Sequence, residues 1–216
     1  MELVCPAGSL PALKAAVDHG ADCVYLGFRD ATNARNFAGL NFDEAAIEAG
    51  IRYAHDRGRK VFVALNTYPQ AAKADLWQRA VDRAAHSGVD AVILADPGMM
   101  AYAVKHQPQL RLHLSVQGSA TNYEALDFYY QHFGIARAVL PRVLSLTQVE
   151  QVLNKSPVEI EVFGTLVCRN WCCVFGIDVC TSMRVERGGA CDTHARAYRR
   201  RPRRSLRHMM RAAARM

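Results

Sequence analysis

The chain has 216 residues, is 50% hydrophobic and 22% charged, and carries a formal net charge of +7. This composition excludes intrinsic disorder, collagen-like repeats and coiled coil, and it leaves room for one large domain or two small ones. No apolar run approaches the roughly 18 residues of a membrane span, and the first residues do not resemble a secretory signal, so we expect a cytoplasmic protein.

The charge and the cysteines are concentrated in the last quarter of the chain. Residues 1–163 hold 15 Lys and Arg against 17 Asp and Glu, a net charge of −2. Residues 164–216 hold 12 Arg, no Lys and three acidic residues, a net charge of +9, together with five of the seven cysteines. We therefore predict a division into a domain at 1–163 and an Arg- and Cys-rich tail at 164–216.

Short apolar runs alternate with amphipathic stretches throughout the first 163 residues. Glycines and prolines separate them in the way that is typical of strand and helix ends. The predicted strands cover residues 3–5, 23–28, 60–66, 91–96, 112–117, 138–142 and 159–163. The predicted helices cover residues 9–20, 41–58, 74–88, a stretch beginning at 97, 122–133 and 145–154.

Strict alternation of seven strands and six helices predicts a parallel sheet with right-handed crossovers. An open doubly wound sheet and a closed barrel both fit, but no G-x-G-x-x-G follows the first strand. His113, Ser115 and Gln117 alternate with apolar residues, which favours the interior of a barrel near an active site. We therefore predict an α/β fold, a TIM-barrel-like (β/α) repeat whose closing unit is missing.

Functional groups of such barrels lie where strands end and loops begin. The candidate catalytic residues at these positions are Asn66, Asp96, Gln117, Arg142 and Glu161. Asp96, which precedes a proline, is also a natural helix cap. No set of nucleophile and base is evident in the sequence, because such sets are recognised by their geometry.

Two buried polar features of the strands need partners. Glu159 and Glu161 share one face of the last predicted strand, and Arg142 on the preceding strand is the candidate cation for them. His113 is more often a hydrogen-bonded core histidine than a ligand at such a position. Cys5 and Cys23 lie in apolar strands and are most simply small core residues.

Several segments of the chain resemble the peptidase U32 family. They are LVCPAG at 3–8, GADCVYLG at 20–27 and HLSVQ at 113–117. The segment TNARNFAGLNF at 32–42 resembles the UbiU-like branch of that family, which acts in ubiquinone biosynthesis. The resemblance extends to residue 163 and implies a barrel-like region that carries a [4Fe–4S] cluster on four cysteines.

The resemblance also implies a site, partners and substrates. Its cluster ligands would correspond to Cys168, Cys173 and Cys191, although the cysteine spacing departs from the family signature after Phe163. A UbiV-like paralogue would form a heterodimer with the chain, and a UbiT-like lipid-binding protein would assist it. A ubiquinone precursor and prephenate, as the oxygen donor, would be the substrates of an oxygen-independent hydroxylation.

Three interpretations of the tail stay open. It could form a rearranged metal site, it could be a basic arm for nucleic acid, or it could be an out-of-frame or truncated carboxyl terminus. The functional hypotheses follow the same division. The first is a UbiU-like subunit for ubiquinone hydroxylation. The alternatives are a U32-family factor for tRNA or rRNA hydroxylation, or an RNA-binding module that uses the Arg-rich tail, and a non-functional fragment.

Overall fold

The computed structural model describes residues 2–163 and, as backbone, residues 182–185. The strands are β1 Leu3–Pro6, β2 Cys23–Leu26, β3 Lys60–Leu65, β4 Ala91–Leu94, β5 Leu112–Leu114, β6 Arg137–Val139, β7 Glu159–Phe163 and β8 Ser182–Val185. The helices are α1 Leu10–Asp18, α2 Glu44–His55, α3 Ala74–His86, α4 Pro97–His106, α5 Tyr123–Phe133 and α6 Leu146–Lys155.

Polar caps fix where most of the helices begin. A cap side chain accepts a hydrogen bond from a backbone N–H in the first turn, which would otherwise have no partner. At α6 the cap is reciprocal, because Gln148 also accepts from the backbone N–H of Ser145. The caps seen in this way are Ser9 for α1, Asp43 for α2, Asp96 for α4, Asn122 for α5 and Ser145 for α6.

The strands form a closed barrel in chain order, and each of the first six pairs in parallel with the next. The six helices connect these seven strands. The prediction of an α/β, TIM-barrel-like repeat with seven strands and six helices is therefore confirmed. The carboxyl ends of the parallel strands all lie at one end of the barrel, which we call the mouth.

The position of a closing parallel strand is occupied by β8, which runs antiparallel to both of its neighbours. Ser182 pairs with Phe163 of β7 and with Val4 of β1. A closing parallel strand and helix are thus absent from the described residues, as expected, but β8 pairs with the backbone edges of β1 and β7. Strand β8 falls within the segment that we predicted to be the tail, and the division at Phe163 otherwise stays a prediction.

Five predicted strands, β2 to β6, end earlier in the structure, and for two of them the reason is local. Strand β6 covers Arg137–Val139 instead of 138–142, because Pro141 has no N–H to donate to a neighbouring strand. Strand β5 stops at Leu114, because the Ser115 side chain accepts from the backbone N–H of Gln117 and starts a short 3-10 turn. Arg142 and Gln117 consequently lie in loops at the mouth.

The alternation of side chains along the strands divides the core into two layers. Most buried residues of the strands face the helices, and Leu13, Trp77 and Met100 pack on them from that side. A second cluster faces the barrel interior and consists of Val4, Cys23, Phe62, Ala64, Ala91 and Ile93. None of the helices in the described part of the chain is long and apolar enough to span a bilayer.

Candidate functional site

A long loop after β2, residues 27–43, covers part of the mouth, and we call it the mouth loop. The Asn33 side-chain amide donates to Oδ1 of Asn41 at 3.0 Å, and both side chains are buried. Asn41 has a left-handed backbone, with φ of 74°, and its N–H donates to the carbonyl of Gly8 at 2.7 Å. Buried side-chain amides therefore hold the two arms of the loop together.

The mouth loop is also attached to the end of β3. The Asn66 side chain accepts a hydrogen bond from the backbone N–H of Ala34 at 3.0 Å. The Thr67 hydroxyl donates to the carbonyl of Ala31 at 2.7 Å, and the Thr67 N–H donates to the carbonyl of Thr32. Asn66, a predicted site residue, thus lies at the mouth and positions the loop.

Arg35 is fixed by this network above the barrel interior. Its N–H donates to Oδ1 of Asn33 at 3.0 Å, and its carbonyl accepts from the Asn41 side chain at 2.9 Å. Its guanidinium donates to the hydroxyl of Tyr25 on β2 at 3.5 Å. A cation with a backbone held on both sides is suited to receive an anionic group at the mouth.

The other predicted residues of the mouth differ in how they are used. Arg142 is exposed, and its guanidinium lies over the ring of Phe163, 4.3 Å from the centroid. The carbonyl of Gln117 accepts from the hydroxyl of Tyr68 at 2.7 Å. Asp96 accepts from the N–H of Met99 at 2.9 Å and caps α4, as the cap interpretation predicts.

Glu161 belongs to a different group, at the opposite end of the barrel. Its carboxylate accepts from the guanidinium of Arg137 at 3.2 Å, and both side chains are buried. Arg137 also donates to Glu159 at 2.9 Å and to Glu2 at 2.5 Å. We call these four residues the amino-end cluster. The prediction that Arg142 serves the two glutamates is therefore wrong, because Arg142 lies beyond the end of β6 at the mouth.

In the amino-end cluster, opposite charges offset the cost of burying each charged side chain. Burial raises the pKa of Glu2, but hydrogen bonds from Lys60 and Arg137 outweigh it and lower that pKa to about 2. Burial lowers the pKa of Arg137, and the surrounding carboxylates raise it by more, so the guanidinium stays charged. Arg137 and Glu2 were not predicted from the sequence. The signal for Arg137 was its register, because Arg137 and Val139 pair with Glu159 and Glu161 of the next strand.

His113 lies inside the barrel next to Arg137 in the strand register. Its ring meets that of Phe62 edge-on, with centroids 4.8 Å apart. Neither ring nitrogen has a hydrogen-bond partner among the described residues, so the expected hydrogen-bonded core histidine is buried but unpartnered. Burial lowers its pKa, and the charges of Arg137 and Arg111 lower it further, which keeps the imidazole neutral.

The described residues do not fit an iron–sulfur cluster. Burial raises the pKa of the Cys5 thiol to about 11 and that of Cys23 to about 12, whereas a cluster binds thiolates. Within the same residues, no group of three or more His, Cys, Asp or Glu side chains could hold a metal ion. The predicted ligands Cys168, Cys173 and Cys191 lie outside the described residues.

Fold and site together define a (β/α) barrel protein whose mouth carries a fixed polar loop and arginines. A family model described as "Peptidase family U32" matches residues 8–199. The chain therefore belongs to the peptidase U32 family.

Curated relatives are similar to this chain in sequence, and a solved structure is similar to it in fold. The tRNA hydroxylation protein P of Escherichia coli (strain K12) is 37% identical over 164 residues, which are 75% of this chain and 35% of the relative. The tRNA hydroxylation protein P of Helicobacter pylori (strain ATCC 700392 / 26695) is 33% identical over 201 residues, which are 91% of this chain and 46% of the relative. The chain thus spans less than half the length of these relatives. The structure of the U32 peptidase Mk0906 has a TM-score of 0.60 at 17% identity, covering 73% of this chain and 66% of that one.

Proposed function

We propose that this chain acts in the hydroxylation of RNA, with tRNA as the substrate class. The relatives described above are named for tRNA hydroxylation, and they match most of the barrel at 33–37% identity. They favour the RNA alternative over the ubiquinone branch. Because these relatives are more than twice as long as the matched segment, the assignment of their activity to this chain is part of the proposal. The UbiU-like assignment stays a prediction.

The geometry that carries the proposal is the arrangement of charge at the mouth. Arg35 and Arg142 are placed there by loops after β2 and β6, where ligands of (β/α) barrels bind. The carboxylate of Asp96 is engaged in capping α4, and that of Glu161 lies in the amino-end cluster. We infer that the guanidinium groups of Arg35 and Arg142 contact the phosphates of a nucleic acid at the mouth.

In this proposal the described residues bind and orient the substrate, with Arg35 and Arg142 holding phosphate oxygens. An iron–sulfur cluster, if it is bound by Cys168, Cys173 and Cys191, would supply the redox chemistry of hydroxylation. The cytoplasmic location expected from the sequence is consistent with an RNA substrate.

A second candidate is the ubiquinone hydroxylation predicted from the segment at 32–42. That segment forms most of the mouth loop, so the same mouth would receive a ubiquinone precursor and prephenate. The UbiV-like paralogue and the UbiT-like lipid-binding protein belong to this candidate. They are predictions that only the experiment below separates from the first.

Complementation with two readouts tests the proposal. The full chain is expressed in bacteria that lack their own tRNA hydroxylation protein and, separately, in bacteria that lack ubiquinone hydroxylation under anaerobic conditions. We expect hydroxylated nucleosides to return in the digested tRNA, measured by mass spectrometry, and the quinone pool to stay unchanged. Restored ubiquinone without hydroxylated nucleosides would reverse the order of the two candidates.

A matched pair of arginine variants ties the result to the mouth. Arg142→Gln removes a guanidinium from the mouth. Arg79→Gln removes an exposed guanidinium from α3, where Arg79 forms an ion pair with Asp75 one helical turn away. We expect nucleoside hydroxylation to fall in the first variant and to persist in the second. Equal yields from both would argue against the mouth as the RNA site.

A further inference from the structure

The mouth loop combines a rigid frame with an uncovered apolar tip. Phe37 is 60% exposed and Leu40 is 42% exposed, and both lie on the segment between Arg35 and Asn41. The Phe37 N–H donates to the carbonyl of Arg35 at 3.0 Å, and the Leu40 N–H donates to the carbonyl of Phe37 at 3.1 Å. Two successive short-range hydrogen bonds therefore shape the tip that carries the ring.

The frame beneath the tip is built to hold one conformation. Thr32, Asn33 and Asn41 are buried polar side chains, and the hydrogen bonds of Asn33 and Asn41 run to other parts of the same loop. A Cβ on Gly27 would lie 1.8 Å from the Asn33 side-chain nitrogen, so only glycine admits that amide. Three buried polar side chains thus hold the loop that carries the exposed ring of Phe37. A fixed loop with an exposed ring indicates that the ring contacts another molecule.

We propose that Phe37 stacks on an unpaired base of the RNA substrate while Arg35 contacts the adjoining phosphate. This inference rests on the proposed function and names the contact that would select unpaired nucleotides. Aromatic rings and arginine planes on fixed surfaces are the usual means of holding single-stranded nucleic acid. Arg35 lies two residues before Phe37, and its backbone is fixed from both sides.

The chemistry of the tip favours RNA over a protein partner. The exposed large apolar side chains of the mouth loop are those of Phe37 and Leu40, and Arg35 lies two residues before Phe37. Protein interfaces of ordinary stability need a much larger apolar area. The proposal also moves the RNA contact from the Arg-rich tail, where the sequence suggested it, to the mouth loop.

Direct binding to RNA tests the inference. The purified full chain is titrated against a labelled RNA hairpin with an unpaired loop, and against the same RNA annealed into a continuous duplex, with fluorescence anisotropy as the readout. We expect preference for the hairpin, and Phe37→Ala should weaken hairpin binding about tenfold, the usual effect of losing one stacked base. Phe37→Trp should retain it.

Leu40→Ala is the matched control. It removes a partly exposed apolar side chain from the same tip, and this side chain has no ring that could stack on a base. We expect it to leave binding unchanged. Arg35→Gln should reduce the slope of log affinity against log salt by about one counterion. Thermal unfolding of each variant checks that the barrel is intact.

The outcomes separate the inference from the proposed function. If the chain hydroxylates tRNA in cells but Phe37→Ala binds the hairpin as well as the parent does, the stacking contact is overturned and the function stands. If Phe37→Ala and Leu40→Ala weaken binding equally, a general apolar contact replaces stacking and the inference also fails. If either variant alters the oligomeric state by light scattering without altering RNA binding, the tip is a contact between copies of the chain, and the inference is overturned.

Discussion

The two ends of the barrel both contain arginines, and they use them in different ways. At the amino end, Arg137 is buried and its charge is balanced by Glu2, Glu159 and Glu161. At the mouth, Arg142 is exposed and lies on an aromatic ring, and Arg35 is half-buried beside Tyr25. The amino end therefore has the character of a stabilising group and the mouth that of a binding surface.

The largest difference between the two ends should appear when each loses an arginine. We expect Arg137→Leu to reduce the free energy of unfolding by about 3–5 kcal/mol, because three carboxylates at the amino end lose their shared guanidinium. Arg142→Leu should reduce it by only about 0.5–1 kcal/mol, the usual contribution of a cation–π contact at an exposed position. Urea unfolding followed by circular dichroism measures both, and similar losses in the two variants would break the comparison.

Glu2→Gln should weaken the amino end by a smaller amount and alter its response to acid. The pKa of Glu2 is lowered in the folded chain from 4.5 to about 2, so its contribution is present above the unfolded pKa and is lost as the pH falls toward 2. We expect a loss of about 1.5–3 kcal/mol at neutral pH, the usual worth of a hydrogen bond to a charged group.

Acid unfolding of the same pair of proteins checks this expectation. The parent should lose stability steeply between the two pKa values, and the Gln variant should lose less over the same range. Parallel acid limbs would mean that Glu2 does not carry the linkage and that the remaining carboxylates of the cluster do.

His113→Leu should stabilise the barrel interior by about 1 kcal/mol, because it removes a buried imidazole without hydrogen-bond partners and keeps an apolar side chain of similar size. The pKa of His113 is lowered in the folded chain, so the parent loses stability as the pH falls below the ordinary histidine pKa of about 6.5. Unfolding at about pH 5 and about pH 8 brackets this range. A variant that is weaker at both pH values would show that the ring nitrogens are bonded.

Sequence periodicity was enough to predict the barrel but not the pairing at its amino end. The alternation of Glu159 and Glu161 correctly indicated two carboxylates on one face, and it correctly implied a buried cation. The predicted strand began one residue too late, at Ala138, and because side chains alternate with a period of two, that error hid Arg137. Glu2 precedes the first strand, so no periodic signal could have included it.

The mouth loop could not be predicted, for a different reason. Its conformation depends on hydrogen bonds between residues far apart in the chain, such as Asn41 with Gly8 and Ala34 with Asn66. Polar loops of this kind lack the periodic spacing of hydrophobic residues from which helices and strands are predicted. The sequence did place Asn66 and Gln117 at the ends of strands, and the structure shows what each does there, namely a side-chain anchor for the loop and a backbone acceptor for Tyr68.

Asp96 gives a small expected effect and the sharpest distinction within the mouth. Its side chain accepts from the N–H of Met99 at the start of α4, so Asp96→Ala should reduce the free energy of unfolding by about 1 kcal/mol, whereas Asp96→Ser keeps a capping oxygen and should restore most of that loss. If Asp96 is only a cap, tRNA hydroxylation in cells should follow stability and be normal in the Ser variant. A stable Asp96→Ser chain without hydroxylated nucleosides would instead make the carboxylate part of the chemistry, as its position after β4 predicts. The mouth would then combine negative and positive charge as the amino end does, but in the reaction instead of in stabilising the fold.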